Sequence, residues 1–368
     1  MKFSKSLIAS ATLLALASAA QAEVKADGLL EIYGRASFSV DRLDDGNKYN
    51  SMNLSSNASR LGLKGSKNFG ELTGIWQIEQ QIEFNMSNSK DDTYNRLASR
   101  DTFAGLQGAF GTVRVGKFDT PMKVAREPFN LFGDQLGDMR NLTRVDGGKF
   151  DERLNNMLEY QTPVMNGFQA KIAHSFHSGT AVVSDANGVD KKQDATSMSL
   201  GYKVGNLDTA VAYETYGKDN TLSSSPAVNS KRDATRAAVS YKVTPELRVV
   251  GFYQTADAAS GAVNDSAKVT GLGLEYMATP KIALKGHYMN RNAEKVNADA
   301  KMSTVGAEYR YSKELRFYAS YASVSNGSAA KLAPWTEGRT AAPSSTTNSA
   351  GVVGKDPSGL SIGMRYDF

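Results

Sequence analysis

The sequence of 368 residues predicts an all-β fold, a transmembrane antiparallel β-barrel of about sixteen strands. Three observations lead there. One short apolar stretch stands at the N-terminus, and nothing after it has the length of a membrane-spanning helix. Segments of about ten residues then alternate between apolar and polar side chains, the pattern of strands with a single apolar face. The connections between these segments alternate between very short and long, as the two ends of a membrane barrel do.

The N-terminal stretch is MKFSKSLIASATLLALASAAQA. Lys2 and Lys5 precede an apolar run from Leu7 to Ala17, and Ala20, Gln21 and Ala22 form a small-x-small site before Glu23. This is the pattern of a secretory signal peptide over 1–22, since the run falls short of the roughly 20 residues a bilayer requires. Residues 23–368 would then form a single transmembrane β-barrel domain. The sequence holds no cysteine, so an exported chain carries no disulfides. Its formal net charge of +5 includes the two leader lysines. That balance, with no clustered Lys/Arg run, gives no reason to expect nucleic acid as a partner.

The strands begin in LLEIYGRASFSV, where Leu30, Ile32, Ala36, Phe38 and Val40 share one face and Glu31, Tyr33, Arg35, Ser37 and Ser39 the other. Further strands fall near 58–66, 71–84, 96–108, 112–118, 153–163, 167–178, 193–204 and 207–217. The series continues near 231–243, 246–257, 267–278, 281–291, 301–312, 314–324 and 359–368. VGNL, VTPEL and ATPKI are short turns. Two connections are outsized, 119–150 and 326–357, and the second contains the low-complexity stretch APSSTTNSAGVVGKDPSG, expected to be mobile. In the final GLSIGMRYDF, Leu360, Ile362, Met364, Tyr366 and Phe368 alternate with Ser361, Gly363, Arg365 and Asp367. A terminus this apolar is explained if the last strand closes the barrel against the first, leaving no open edge in lipid.

LLEIYGRASF, SRLGLKG at 59–65, RDTFAGLQGAFGTVRVGK at 100–117 and the terminal YDF together resemble the Gram-negative general porin family, of the Neisseria-like type, across the whole predicted mature chain. The resemblance implies an outer-membrane homotrimer of sixteen-stranded barrels, each enclosing a water-filled pore narrowed by an inward-folded third loop. It implies passive diffusion of small hydrophilic solutes and ions, without a cofactor. It also implies that Tyr366 and Phe368 form a C-terminal signal read by the outer-membrane assembly machinery. Small outward residues on the first strands, Gly34, Ala36, Gly65 and Gly74, would permit close approach between subunits.

In that reading the connection after Lys117 is the constricting loop. Phe129, Leu131, Phe132 and Leu136 supply apolar anchors, and FNLFGD resembles the family's loop motif, which makes Asp134 and Asp138 candidates for an acidic side. Arg35, Arg60 and Arg153 have inward parity and match basic positions of the family's opposing wall. Lys117 matches a fourth, yet alternation puts Arg114 and Lys117 on opposite faces, which calls for a bulge or a different assignment.

Catalysis is weighed through His174, His177 and His287, the only imidazoles. His174 and His177 are three apart in a strand and face opposite ways, so no shared site is expected. The alternatives to a general pore are a substrate-specific channel and a barrel serving mainly as an adhesin or structural protein.

Overall fold

The computed structural model describes residues 24–26, 30–84, 99–144, 150–177, 179, 184, 187–220, 231–260, 263, 264, 266–340, 342 and 351–368. The signal peptide expected over 1–22 lies outside them. The strands are β1 (Leu30–Asp44), β2 (in two parts, Asn50–Ser56 and Arg60–Asn68), β3 (Thr73–Gln81), β4 (Thr102–Gly108), β5 (Gly111–Asp119) and β6 (Arg153–Gln161). They continue as β7 (Phe168–Ser175), β8 (Ala195–Val204), β9 (Leu207–Tyr216), β10 (Arg232–Lys242) and β11 (Leu247–Asp257). The last are β12 (Ala267–Thr279), β13 (Ile282–Ala293), β14 (Ala300–Arg310), β15 (Leu315–Asn326) and β16 (Ser358–Asp367). Each pairs antiparallel with the next, and β16 pairs with β1 from Arg35 opposite Asp367 to Asp44 opposite Ser358. The pairing of β16 with β1 closes the sheet among the described residues, as a lipid surround favours.

Alternation becomes an inside and an outside. Leu30, Ile32, Phe38, Val40, Leu360, Ile362 and Tyr366 are exposed on the outer face, while Arg35, Ser37, Ser39, Asp41, Ser361 and Asp367 of the same strands are buried. Polar side chains inside and apolar ones outside invert the pattern of a water-soluble protein, as a lipid surround requires.

The break in β2 was not legible as part of a strand. Ala58 has φ 52°, and the side chains around it take over the hydrogen bonds. Asn57 Nδ2 donates to Ser39 Oγ at 2.9 Å and to the Tyr318 hydroxyl at 2.8 Å. Ser59 Oγ accepts from the Ser37 N–H at 3.0 Å and donates to the Ser37 carbonyl at 2.8 Å. SSNAS looks like a turn because short polar side chains compete with the backbone ladder.

After β5 the chain turns inward. Thr120 caps the short helix α1 (Pro121–Val124) by accepting from the Lys123 N–H at 3.3 Å, with Pro121 at its first position. Phe129, Leu131, Phe132 and Leu136 are all buried. The Phe129 ring lies 5.3 Å from Phe252 and 5.7 Å from His287, and Phe132 meets His287 edge-on at 5.0 Å. These wall residues belong to the buried parity of β11 and β13. The wall accommodates the anchors with glycines: a Cβ on Gly271 would fall 2.6 Å from the Phe129 ring, and Gly273 and Gly306 meet Leu131 and Phe132 in the same way. Arg236, fully buried on β10, ties both ends of the loop, donating to the Met122 carbonyl at 2.9 Å and to Asp151 at 2.7 Å.

One expectation changes, and another falls largely on residues outside the described set. Gly34 is not an open face for a neighbouring subunit, because the Phe368 ring fills it; a Cβ there would lie 2.4 Å from that ring. The long connection after β15 is held at both ends of the stretch expected to be mobile. Trp335 and Ala333 are buried with Leu43 and Leu136, and the Gly354 N–H donates to the Ala330 carbonyl at 2.8 Å. Residues 343–350 lie outside the described set.

Candidate pore constriction

A cavity of about 1760 Å³ runs inside the barrel and is lined by wall residues and by both long loops. Arg35 of β1, Arg60 of β2, Arg100 just before β4 and Arg153 of β6 stand on its wall. Three of them come from sequence parity; Arg100 sits in a connection, where parity has no meaning. Their carboxylate partners sit among them. Glu79 of β3 binds Arg100, lies 3.6 Å from Arg60 and accepts from the Tyr33 hydroxyl at 3.0 Å. Arg153 pairs with Asp101 and, at 2.7 Å, with Asp119. Arg35 pairs with Asp367 at 2.7 Å, beside the barrel closure.

Lys117 is a correction. The register steps between Gly116 and Phe118, two residues of β5 standing against three of β6, so the bulged strand is β6 and alternation runs on through β5. Gly116 lies opposite Phe103 and Lys117 opposite Thr102, which leaves Lys117 on the face away from Phe103. Arg114 lines the cavity instead. Its Nε is 2.7 Å from Glu159, and its guanidinium lies 4.0 Å from the Phe118 ring centre. The extra residue of that bulge lies at Asn156, φ 52°, and lets Leu154 and Met157 both face inward although three residues apart.

The two loop acids separate. Asp134 lines the cavity, 2.7 Å from Arg140 and 3.5 Å from Arg35, so it bridges the loop to the wall. Burial pushes its carboxyl up, but Arg140, Arg60 and Arg35 outweigh this and hold it well below the usual carboxylate range. Asp138 is fully buried and does not line the cavity: it pairs with Arg140 at 2.6 Å and accepts from the Asp134 N–H at 2.8 Å. Its place is to hold the loop's shape. The loop also brings Lys123, Arg126, Arg140 and Arg144 to the cavity, so it is not a purely acidic lip. Burial pushes the Lys123 ammonium down to about 8, with Asp119 2.9 Å away opposing the drop.

A second tier runs along β11 to β16. Lys285 pairs with Glu308 at 3.1 Å, Arg310 with Glu308 at 2.9 Å and with Glu275 at 3.0 Å, and Arg365 with Asp367 at 2.7 Å. Alternating charges across neighbouring strands leave each carboxylate shared between cations. The histidines come to no common site: His174 bonds Thr196 at 2.9 Å, His177 lies beside Asn156, and His287 sits under the loop.

A closed sixteen-strand barrel, apolar outside and charged within, narrowed by a loop folded onto its inner wall, defines a transmembrane β-barrel with a polar lumen. The sequence profile of the Gram-negative porin family matches residues 9–329, and the chain belongs to that family. It is an outer-membrane protein of a Gram-negative bacterium. An outer membrane porin protein of Bordetella pertussis is 30% identical over 238 residues, covering 59% of this chain and 60% of that protein. The major outer membrane protein P.IB of Neisseria sicca is 32% identical over 170 residues, 45% of each chain. The chain thus spans about half the length of the curated relatives it matches. Among solved structures, the anion-selective porin from Comamonas acidovorans aligns with a TM-score of 0.76 at 20% identity, over 92% of this chain and 99% of that one. At that identity the likeness is one of fold.

Proposed function

We propose that the chain forms a water-filled channel for passive diffusion of small hydrophilic solutes and ions across the outer membrane, with a preference for anions. The observation that carries the preference is the lining itself. Among the described residues, eighteen Lys and Arg side chains border the cavity against eleven Asp and Glu, and five further carboxylates, Asp41, Asp138, Asp151, Glu159 and Asp367, pair with those cations from behind the lining, which leaves a small positive excess. Low-dielectric walls strengthen the field of such an excess, and rings of basic side chains favour anions. Arg35, Arg60 and Arg153, with Arg100 and Arg114, form the basic side of the constriction in this reading, and Asp134 the acid beside it. Lys117 and Asp138 have no direct part.

Porin family membership supports a homotrimer, export through a leader cleaved after Ala22, and delivery by the outer-membrane assembly machinery through the terminal Tyr366 and Phe368. The test is the zero-current potential of reconstituted channels under a salt gradient. A potential of the sign given by anions crossing faster supports the reading; one of cationic sign refutes the preference, and no conductance refutes the pore. Native electrophoresis in mild detergent that finds only monomer would overturn the trimer alone.

A further inference from the structure

The last long connection, between β15 and β16, enters the barrel. Trp335, almost wholly buried, sits with Ala333 against Leu43 of β1 and Leu136 of the third loop. The two loops then bond each other. The Pro334 carbonyl accepts from the Gly137 N–H at 2.7 Å. Asn141 Oδ1 accepts from the Thr336 hydroxyl at 2.7 Å and from the Glu337 N–H at 3.0 Å. The Glu337 carboxylate binds Arg144.

Beyond this the segment docks on the wall. Arg339 binds Asp41 of β1, and both side chains are fully buried. The Thr340 N–H donates to the Ser56 carbonyl at 3.1 Å, and its hydroxyl accepts from the Ser56 N–H at 2.9 Å. Among the described residues, β3 pairs with β2 as far as Gln81 opposite Arg60, and Thr340 bonds the backbone of β2 beyond that point. Trp335, Thr336, Glu337, Gly338, Arg339 and Thr340 all line the same cavity as the third loop.

We infer that the segment Leu332–Thr340 is a second wall of the constriction, so that the narrowest section of the pore is set by two loops docked on one another. The inference rests on the pore reading above. Its charges have different roles. Arg339, neutralised by Asp41 out of solvent, is a latch. Glu337 is the selectivity group: it offsets Arg144, and without it that guanidinium faces passing solutes with only Glu152 and Asp151 nearby. The apolar seat of Trp335 does not depend on charge, so salt does not release the segment.

Three measurements test this. The Ala330 carbonyl and the Gly354 N–H are 2.8 Å apart, so residues 331–353 can be excised and the ends joined through two glycines. The excised channel should conduct about twofold or more above wild type, because a wall of the narrow section is gone. Glu337→Gln should leave conductance near wild type and raise the anion-to-cation permeability ratio by about twofold at 0.1 M salt, the effect of one charge some 8 Å from a passing ion. In a chain without cysteine, Thr336→Cys with Asn141→Cys allows the two loops to be bridged by oxidation or a short thiol crosslinker. Bridged and reduced channels should conduct alike, because the segment already rests there. Wild-type conductance after excision, or a sharp fall on bridging, overturns the second wall while leaving the pore intact. If the excised barrel does not fold, the bridged pair and Glu337→Gln decide the matter. A wild-type protein that does not conduct refutes the pore reading instead.

Discussion

Gly34 and Phe368 close the barrel on each other. The Gly34 N–H donates to the Phe368 carbonyl at 2.8 Å, the Phe368 N–H donates back to the Gly34 carbonyl at 3.0 Å, and the Phe368 ring lies where a side chain at position 34 would be. An aromatic ring over a strand glycine shields backbone that would otherwise meet lipid. Inside, on the strand pairs that flank the seam, the Tyr318 ring covers Gly363 and the Tyr33 ring covers Gly62.

Closure should therefore fail from either side of that contact. Phe368→Ser removes the ring, and Gly34→Val drives a side chain into it; each should cost about 2 kcal/mol and lower the heat-resistant folded form in outer membranes. Gly34→Ala with Phe368→Leu should lose less than the sum of the two single changes, since the smaller residue gives room to the added methyl. Additive losses would mean the two positions do not share one contact.

Selectivity should follow Arg60 and Arg153. Neutralising one charge about 8 Å from a passing ion, at the dielectric of water and a Debye length of about 10 Å, removes roughly 0.25 kcal/mol of attraction for an anion and as much repulsion for a cation, together about a factor of two in their permeability ratio. The Arg60→Gln, Arg153→Gln double variant should thus lower anion-to-cation permeability about fourfold at 0.1 M salt. The effect should shrink at 1 M, where the Debye length falls from about 10 Å to about 3 Å. The zero-current potential, compared at matched folded yield, reports it. An unchanged potential at low salt would remove both residues from the constriction.

Selectivity should also depend on pH through Lys123. Its ammonium titrates at about 8, below the ordinary lysine range, so it is charged at pH 7 and largely neutral at pH 9. Raising the pH across that window removes one cation from the lining and should lower the anion preference by about a factor of two. Lys123→Met should abolish that step. A wild-type profile flat from pH 7 to 9 would show that Lys123 keeps its proton.

Loop docking should depend on the glycine sockets. Gly271→Val places a side chain against Phe129 and should cost about 1–3 kcal/mol of docking energy without touching the ladder between β12 and β13. The expected result is normal barrel yield with larger or noisier open-channel current. Quiet, wild-type conductance would mean that Phe129 does not hold the loop to this wall.

The sequence by itself determined which face each residue takes. Alternation is a local property, so Arg35 and Arg60 could be placed inward, and the strand count and the apolar terminus followed from the same pattern. It failed where local conformation shifts the count. The extra residue of β6 at Asn156 puts Leu154 and Met157 on one face, and Asn57 to Ser59 interrupt β2 through bonds to residues near in space and distant in sequence.

Tertiary structure alone decided which inward residues meet. Asp134 and Asp138 are equivalent in sequence, yet one pairs with Arg35 on the barrel wall and the other is enclosed by Arg140. The glycines that receive Phe129, Leu131 and Phe132 lie more than a hundred residues away, and Trp335 stands beside a low-complexity stretch with no local mark of burial. A loop in a barrel can fold in or out with the same backbone propensities. What chooses is the shape and charge of a wall assembled from distant strands, and that exists only once the barrel has closed.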